Sequence, residues 1–211
     1  MKTMRALAVM SLGLTLVGGS VPRAVADGAA RPATPEQVAQ GATPAPLPPT
    51  KTVTVMVEGE PQPMVMQLYQ HPEVPLVTYY PAAMTVSQAC DADGCGVSFT
   101  DDATSTGVIV MFPAAATTAA AVAPLITGPE GLMAGNGWVV TGAYTDALEF
   151  PWARQMITFR TPELTAGGVA YLGEASGQGF AAVVVLPPDA GDGFMPQANA
   201  MLAELRVRPL P

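Results

Sequence analysis

Short runs of alternating apolar and polar residues, separated by turn-forming residues, fill most of the chain between residues 51 and 186. Two of these runs, residues 53–57 and 64–69, flank a Glu-Gly-Glu-Pro segment, so we expect a β-hairpin there. The same pattern predicts further strands at residues 76–80, 84–89, 95–100, 107–112, 137–144, 155–161, 168–174 and 180–186. Most connections are too short for a crossover helix, which favours a mainly antiparallel sheet.

Helical sequence is confined to three places. An alanine-rich segment, residues 115–126, predicts one helix, and residues 130–134 predict a brief second one. Residues 196–207 predict an amphipathic closing helix, with proline in its first turn and arginine in its last. Together with the strands, this predicts an α+β domain in which helices flank a mainly antiparallel sheet.

The first 26 residues have the pattern of a secretory signal peptide. Lys2 and Arg5 precede an apolar run at residues 6–18, and Ala24-Val25-Ala26 supplies the small residues of a cleavage site. The apolar run is shorter than the ~20 residues that span a bilayer. We therefore expect cleavage after Ala26, a secreted or periplasmic location, and no stable membrane insertion.

A change of composition separates the predicted signal peptide from the rest of the chain. Residues 27–50 hold six prolines and no aromatic residue, which is typical of an extended linker that cannot form a core. Residues 51–211 have the length of one domain with a sizeable core, and they contain no internal repeat. The predicted organisation is thus a signal peptide (1–26), a disordered linker (27–50) and a single α+β domain (51–211).

The chain is acidic, with a formal charge of −8 over its 211 residues. Removing residues 1–26 leaves six basic against seventeen acidic residues, or −11, and no basic residue lies between Lys51 and Arg154. Nucleic acid and anionic lipid surfaces are therefore poor partners, since phosphate binding relies on lysine and arginine. A basic protein surface or a divalent cation is electrostatically plausible, although the charge could serve solubility alone.

The two cysteines lie in one short segment, QACDADGCGVSFTDD, residues 88–102. One interpretation is a disulfide between Cys90 and Cys95 that closes a hairpin over residues 91–94, with Gly94 supplying the positive φ that such turns often need. Disulfides persist in exported proteins, so the predicted location favours this interpretation. Free thiols are a further alternative.

A second interpretation of the same segment is a calcium site. Asp91, Asp93 and Asp102 fit positions 1, 3 and 12 of an EF-hand loop, and Asp101 adds a further carboxylate. Against this, Cys95 occupies a ligand position that it serves poorly, and the following residues alternate as a strand does. Calcium binding by this aspartate cluster is kept as an alternative function.

Softer metals and thiol redox chemistry have less support. The cysteine spacing is C-x4-C rather than C-x-x-C, and His71 is the only histidine. Met64 and Met66 share a strand face near His71, which would suit copper(I), but Leu68 continues that face as core packing would require. We expect these methionines to pack in the core.

No catalytic constellation is evident in the sequence. The chain lacks a Gly-x-Ser-x-Gly elbow and a phosphate-binding loop, and His71 lies in a turn bracketed by prolines. Glu58, Glu60 and Glu73 could form an acid/base pair, but carboxylates at a hairpin tip are normally solvated. We therefore predict no catalytic residue.

Two segments resemble the PsbP-like family of lumenal and periplasmic proteins. Residues 161–207 (TPELTAGGVAYLGEASGQGFAAVVVLPPDAGDGFMPQANAMLAELRV) have the closing order of that family, a strand, a hairpin, an apolar strand ending in proline, then a helix ending near LRV. Residues 79–84 (YYPAAM) are similar to the tyrosine/proline segment near the start of such domains. The resemblance, which extends over residues 76–207, implies an α/β/α sandwich and accessory binding to a larger assembly, sometimes with cation binding, and no catalysis.

The chain departs from that family in its charge. Family members dock through lysines, whereas Lys51 is the single lysine of this domain. The docking role therefore does not carry over. The sequence as a whole predicts an exported, non-catalytic domain that recognises a protein or envelope component through a sheet face or loops, with a calcium-binding protein and an enzyme of unrecognised type as alternatives.

Overall fold

A computed structural model describes residues 46–209 of the chain, so the predicted signal peptide and most of the predicted linker lie outside the described residues. The strands are β1 (Thr50–Val57), β2 (Glu60–Gln70), β3 (Leu76–Pro81), β4 (Thr85–Asp91), β5 (Gly94–Asp101), β6 (Thr106–Pro113), β7 (Val139–Tyr144), β8 (Ala153–Arg160), β9 (Gly167–Ala175), β10 (Gln178–Leu186) and β11 (Arg206–Val207). The helices are α1 (Ala119–Thr127), α2 (Leu132–Gly135) and α3 (Gly191–Ala203).

Within residues 46–209 the strands form two sheets, and all of their pairings are antiparallel. The small sheet has the order β1-β2-β3-β11, and the large sheet has the order β4-β5-β6-β10-β9-β8-β7. After β6 the chain crosses the large sheet through α1 and α2 to the far edge, β7. It then returns strand by strand, so that β10 pairs with β6.

The large sheet is buried on both faces at its centre, where β10 has a nearly continuous apolar sequence. Phe180, Ala182 and Val184 face the small sheet and α3, in what we call the small-sheet core. Ala181 and Val183 point the other way and pack with α1 and α2, in what we call the helical core. Helices thus flank a mainly antiparallel sheet, which confirms the predicted α+β class and sandwich arrangement.

Two predicted helix boundaries differ from the structure. The helix predicted at residues 115–126 begins only at Ala119, because Thr118 acts as its N-cap and accepts the N–H of Ala121 at 3.2 Å. Ala116, which precedes this helix, is bonded to the sheet instead, because its carbonyl oxygen accepts the N–H of Gly179 on β10 at 2.9 Å.

The closing helix is also shifted. A 3₁₀ turn at Pro188–Ala190 leads directly into α3, so Pro196 lies inside the helix and the predicted position of proline in the first turn is wrong. The helix ends at Ala203, and Arg206 lies in β11, opposite Val77 of β3, rather than in a last helical turn. None of the helices within residues 46–209 is both long and apolar enough to cross a membrane.

Candidate functional site

The β4–β5 hairpin carries both cysteines and two of the candidate aspartates. Cys90 and Cys95 are directly opposite each other and form a disulfide, with their Cα atoms 4.1 Å apart. The Asp91 carboxylate accepts the N–H groups of Asp93 and Gly94 at 2.9 and 3.1 Å, which orders the turn. Gly94 has a φ of +145°, as the predicted positive φ requires. The structure therefore supports the predicted disulfide staple.

The four candidate calcium ligands are divided between the two ends of β5. Asp91 and Asp93 lie before this strand, whereas Asp101 ends it and accepts the N–H of Ala103 at 3.0 Å. An eight-residue strand spans about 24 Å, so one ion cannot contact carboxylates at both ends. Residues 46–209 contain no group of three or more His, Cys, Asp or Glu side chains placed to hold a metal ion. The set Asp91, Asp93 and Asp102 is therefore not brought together.

The methionine and glutamate candidates are also dispersed. Met66 is fully buried and Met64 packs partly against the small-sheet core, which is the core packing that the sequence predicted. Glu58 lies in the β1–β2 turn, and Glu73 follows the opposite end of the eleven-residue strand β2. His71 Nδ1 accepts the N–H of Glu73 at 3.4 Å, within its own loop. These side chains do not form an acid/base pair.

Three of the basic side chains are engaged inside the domain. Lys51 Nζ lies 2.6 Å from a carboxylate oxygen of Glu204 and 4.3 Å from the centre of the Tyr79 ring. The Arg154 guanidinium donates to Glu174 at 3.0 Å. Arg208 donates to the carbonyl oxygens of residues 71 and 74, tying the chain after β11 to the loop before β3. These partners are not evident from the sequence, because each contact joins residues far apart in the chain.

Two further arginines of residues 46–209, Arg160 and Arg206, are exposed and make no side-chain hydrogen bond or salt bridge with the described residues. The surface is thus dominated by carboxylates, with few free cations among them.

Three acidic residues lie on two segments that contact each other, and we call them the acidic end: Glu73, Asp91 and Asp93. The Cys95 sulfur lies 3.6 Å from the carbonyl oxygen of Glu73, so the loop that carries Glu73 packs against the disulfide hairpin. The disulfide and the Asp91 hydrogen bonds fix the other two residues. All three side chains are exposed to solvent.

The shifted pKa values arise from packing and pairing. Burial raises the pKa of Tyr69 to about 12, against the opposing charge of Arg208, and its hydroxyl donates to Gln88. Burial also raises the pKa of Tyr171, with a further contribution from Glu149. The hydrogen bond from Arg154, followed by one from the backbone N–H of Ala119, lowers the pKa of Glu174. Each cause is structural, so these shifts do not identify a catalytic acid or base.

Two shallow depressions lie side by side at the start of α1 and share Thr117 and Gly177. One has a volume of about 200 Å³ and is lined partly by Gln178, and the other, of about 350 Å³, contains the Arg154–Glu174 pair. The Gln178 amide oxygen has no hydrogen-bond partner among the described residues, but it is buried out of reach of solvent. A ligand in the depression could therefore not contact that oxygen.

No protein-family model matches the chain, and no match to a curated protein was found. The chain is similar to the solution structure of cyanobacterial PsbP (CyanoP) from Synechocystis sp. PCC 6803, with a TM-score of 0.47 and 16% identity over 67% of this chain and 92% of that one. The resemblance to PsbP proteins suggested by the sequence is thus found at the level of fold.

A crystal structure from Bacteroides thetaiotaomicron VPI-5482 is also similar, with a TM-score of 0.41 and 12% identity over 67% of this chain. The chain spans about half of that protein, 48% of its length. Neither likeness identifies a ligand or a partner.

Proposed function

We propose that the protein is an exported, non-catalytic module that binds a basic protein or a basic cell-envelope component. The observation that carries this proposal is the arrangement of charge. Lys51, Arg154 and Arg208 are engaged within the domain, whereas the side chains of the acidic end are exposed to solvent. A surface of this kind attracts a partner of opposite charge and raises its rate of association.

The geometry of the acidic end suits recognition more than solubility alone. Its turn is closed by a disulfide and ordered by the Asp91 carboxylate, so little conformational entropy is lost when a partner binds. The disulfide also suits an oxidising compartment, in agreement with the signal peptide that the sequence predicts. The same proposal holds that the protein is exported and that residues 27–50 serve as a tether.

The test is recovery of partners from envelope extracts by the immobilised protein, at low salt and at physiological salt. Binding to a basic partner should weaken at physiological salt, where the Debye length is ~8 Å. The double variant Glu73→Gln/Asp93→Asn should lose the partner. The matched control Glu130→Gln/Glu163→Gln removes two exposed carboxylates elsewhere and should retain it.

Equal losses in both double variants would assign the effect to overall charge and remove the acidic end from the proposal. Recovery of no partner at either salt concentration, together with turnover of a small substrate in a hydrolase panel, would replace the binding module with an enzyme.

A further inference from the structure

Strand β7 leaves one edge of the large sheet open. It pairs with β8 on one side, and no other strand of residues 46–209 pairs with its outer side. Its sequence, VVTGAY, has no charged residue, and the side chains of Val139, Val140 and Tyr144 are 47%, 42% and 50% exposed. An uncharged edge strand with exposed apolar side chains is a template for pairing with another strand.

The other sheet edges carry features that discourage such pairing. Strand β4 ends at Asp91 in the disulfide-closed hairpin. Strand β1 carries Lys51, which is held by Glu204, and β11 has only two residues. Charged residues and very short strands are the means by which edges are normally protected. Strand β7 lacks both.

A bulge in β7 changes which of its residues share a face of the sheet. Val140 is opposite Phe159 and Gly142 is opposite Thr158, so Thr141 is the extra residue. Val140 and Ala143 consequently lie on the same face of the sheet although they are three residues apart, because their partners on β8 both belong to the helical core. Val139, Gly142 and Tyr144 lie on the opposite face.

We propose that β7 pairs antiparallel with β7 of a second copy of this chain, about a two-fold axis perpendicular to the sheet. With the axis between Thr141 and Gly142, the opposed residues are Val139 with Tyr144 and Val140 with Ala143. The members of each pair lie on the same face, as antiparallel pairing requires. The two seven-stranded sheets are then joined edge to edge.

The bulge favours a second copy over an unrelated strand. A regular strand that pairs across the bulge leaves Thr141 without an opposite residue, as β8 does on the inner side. A second β7 brings its own bulge to the same place, and its faces match on both sides. Pairing of identical surfaces about a two-fold axis is also the commonest form of protein association.

Charge at the ends of β7 is complementary in this arrangement. Arg160 is opposite Val139 on β8 and is exposed without a partner among the described residues, and Asp146 follows Tyr144 by two residues and is also exposed. Val139 lies opposite Tyr144 of the other copy. Each Arg160 is therefore about 10 Å, two strand spacings, from that Tyr144, and Asp146 of the other copy follows it by two residues. An arginine side chain can cover much of that distance.

Pairing through β7 is separate from partner binding at the acidic end. The acidic end lies by β4, at the opposite edge of the large sheet from β7, so pairing through β7 leaves it free in both copies. The dimer would present two acidic ends, and two linked binding surfaces increase avidity without a new contact.

The experiment is sedimentation equilibrium of the protein as recovered from the envelope, over a wide range of concentration. Wild type should sediment as a dimer that dissociates on dilution. Val140→Lys should raise the dimer Kd roughly tenfold or more, the equivalent of one lost buried valine side chain. Val65→Lys, which places the same charge at a 53% exposed valine of β2, should leave the Kd unchanged.

Charge reversal provides a second measurement that does not alter β7. Arg160→Glu alone and Asp146→Arg alone should each weaken the dimer by roughly two- to fivefold per contact, and the combined variant should restore it. A monomer at all concentrations would overturn the proposal. So would a dimer that is insensitive to Val140→Lys while both single charge reversals are without effect.

Discussion

Glu174 accepts the backbone N–H of Ala119 at 3.3 Å, and this hydrogen bond ties the first turn of α1 to strand β9. The other carboxylate oxygen of Glu174 accepts from Arg154 on β8 at 3.0 Å. The carboxylate thus satisfies an N–H that has no partner within the helix, and its negative charge lies at the positive end of the helix dipole. Three elements meet at this one side chain.

Replacing Glu174 by glutamine should lower the melting temperature at pH 7. Because the hydrogen bonds from Arg154 and Ala119 lower the pKa of Glu174 from 4.5, the carboxylate stabilises the fold at pH values above 4.5. That contribution is lost as the pH falls through the lowered pKa, so the difference between variant and wild type should shrink on acidification. Thermal unfolding between pH 7 and pH 3 measures it, with Glu163→Gln as an exposed control. A difference independent of pH would contradict the assignment.

The strand pattern was predictable because period and turn chemistry are local. Every strand predicted from alternation is present. The predicted β-hairpin between β1 and β2 is also present, and its turn is formed by Glu58 and Gly59, both of which have positive φ. The apolar sequence of β10 also fits its burial on both faces, between the two cores.

The features that the sequence did not reveal depend on contacts between distant residues. The sequence predicts that Arg206 ends a helix, whereas in the structure Arg206 pairs with Val77 of β3. The division of the aspartate cluster follows from the extended conformation of β5 between its members. The exposure of β7 follows from its place at the end of the large sheet, which is set by the crossover through α1 and α2.

Substitution of Gly168 by alanine should destabilise the domain by about 3 kcal/mol. A Cβ atom at this position would lie 1.8 Å from the carbonyl oxygen of Val184 on β10 and 3.1 Å from the Phe159 ring. The backbone of the central sheet would have to move. The control is Gly96→Ala on β5, where a Cβ meets nothing within 4 Å. That variant should be neutral or slightly stabilising, since alanine loses less entropy on folding than glycine. Urea unfolding of both variants gives the comparison.

Loss of the disulfide should cost about 2 kcal/mol, because the loop that it closes is short. The double variant Cys90→Ser/Cys95→Ser should therefore fold, with a lower urea midpoint than wild type. We expect this variant to bind the partner more weakly, because the acidic end loses order, but not to lose binding altogether. Non-reducing peptide mapping of wild type should find both cysteines in one closed loop. Alkylation of both thiols in freshly isolated protein would disprove the bond.

Export predicts a defined N-terminus. Protein recovered from the envelope should have an intact mass that begins at Asp27, since Ala24 and Ala26 provide the small residues on which cleavage depends. Changing both alanines to aspartate should cause the uncleaved precursor to accumulate. Membrane-bound protein that retains Met1 in the wild type would contradict the signal-peptide interpretation.

Calcium should not stabilise the protein specifically, despite its acidity. A bound ion raises stability by RT ln(1 + [L]/Kd), so a useful site would raise the melting temperature in millimolar calcium. Asp91 already accepts two backbone N–H groups, and Asp102 lies beyond the other end of β5, so the geometry offers calcium only separated, solvated carboxylates. We expect equal, small shifts with calcium, magnesium and sodium chloride at matched ionic strength, since each only screens the repulsion between carboxylates. A rise specific to calcium that Asp91→Asn or Asp102→Asn abolishes would restore the cation-binding alternative, and would require these residues to approach each other in the bound state.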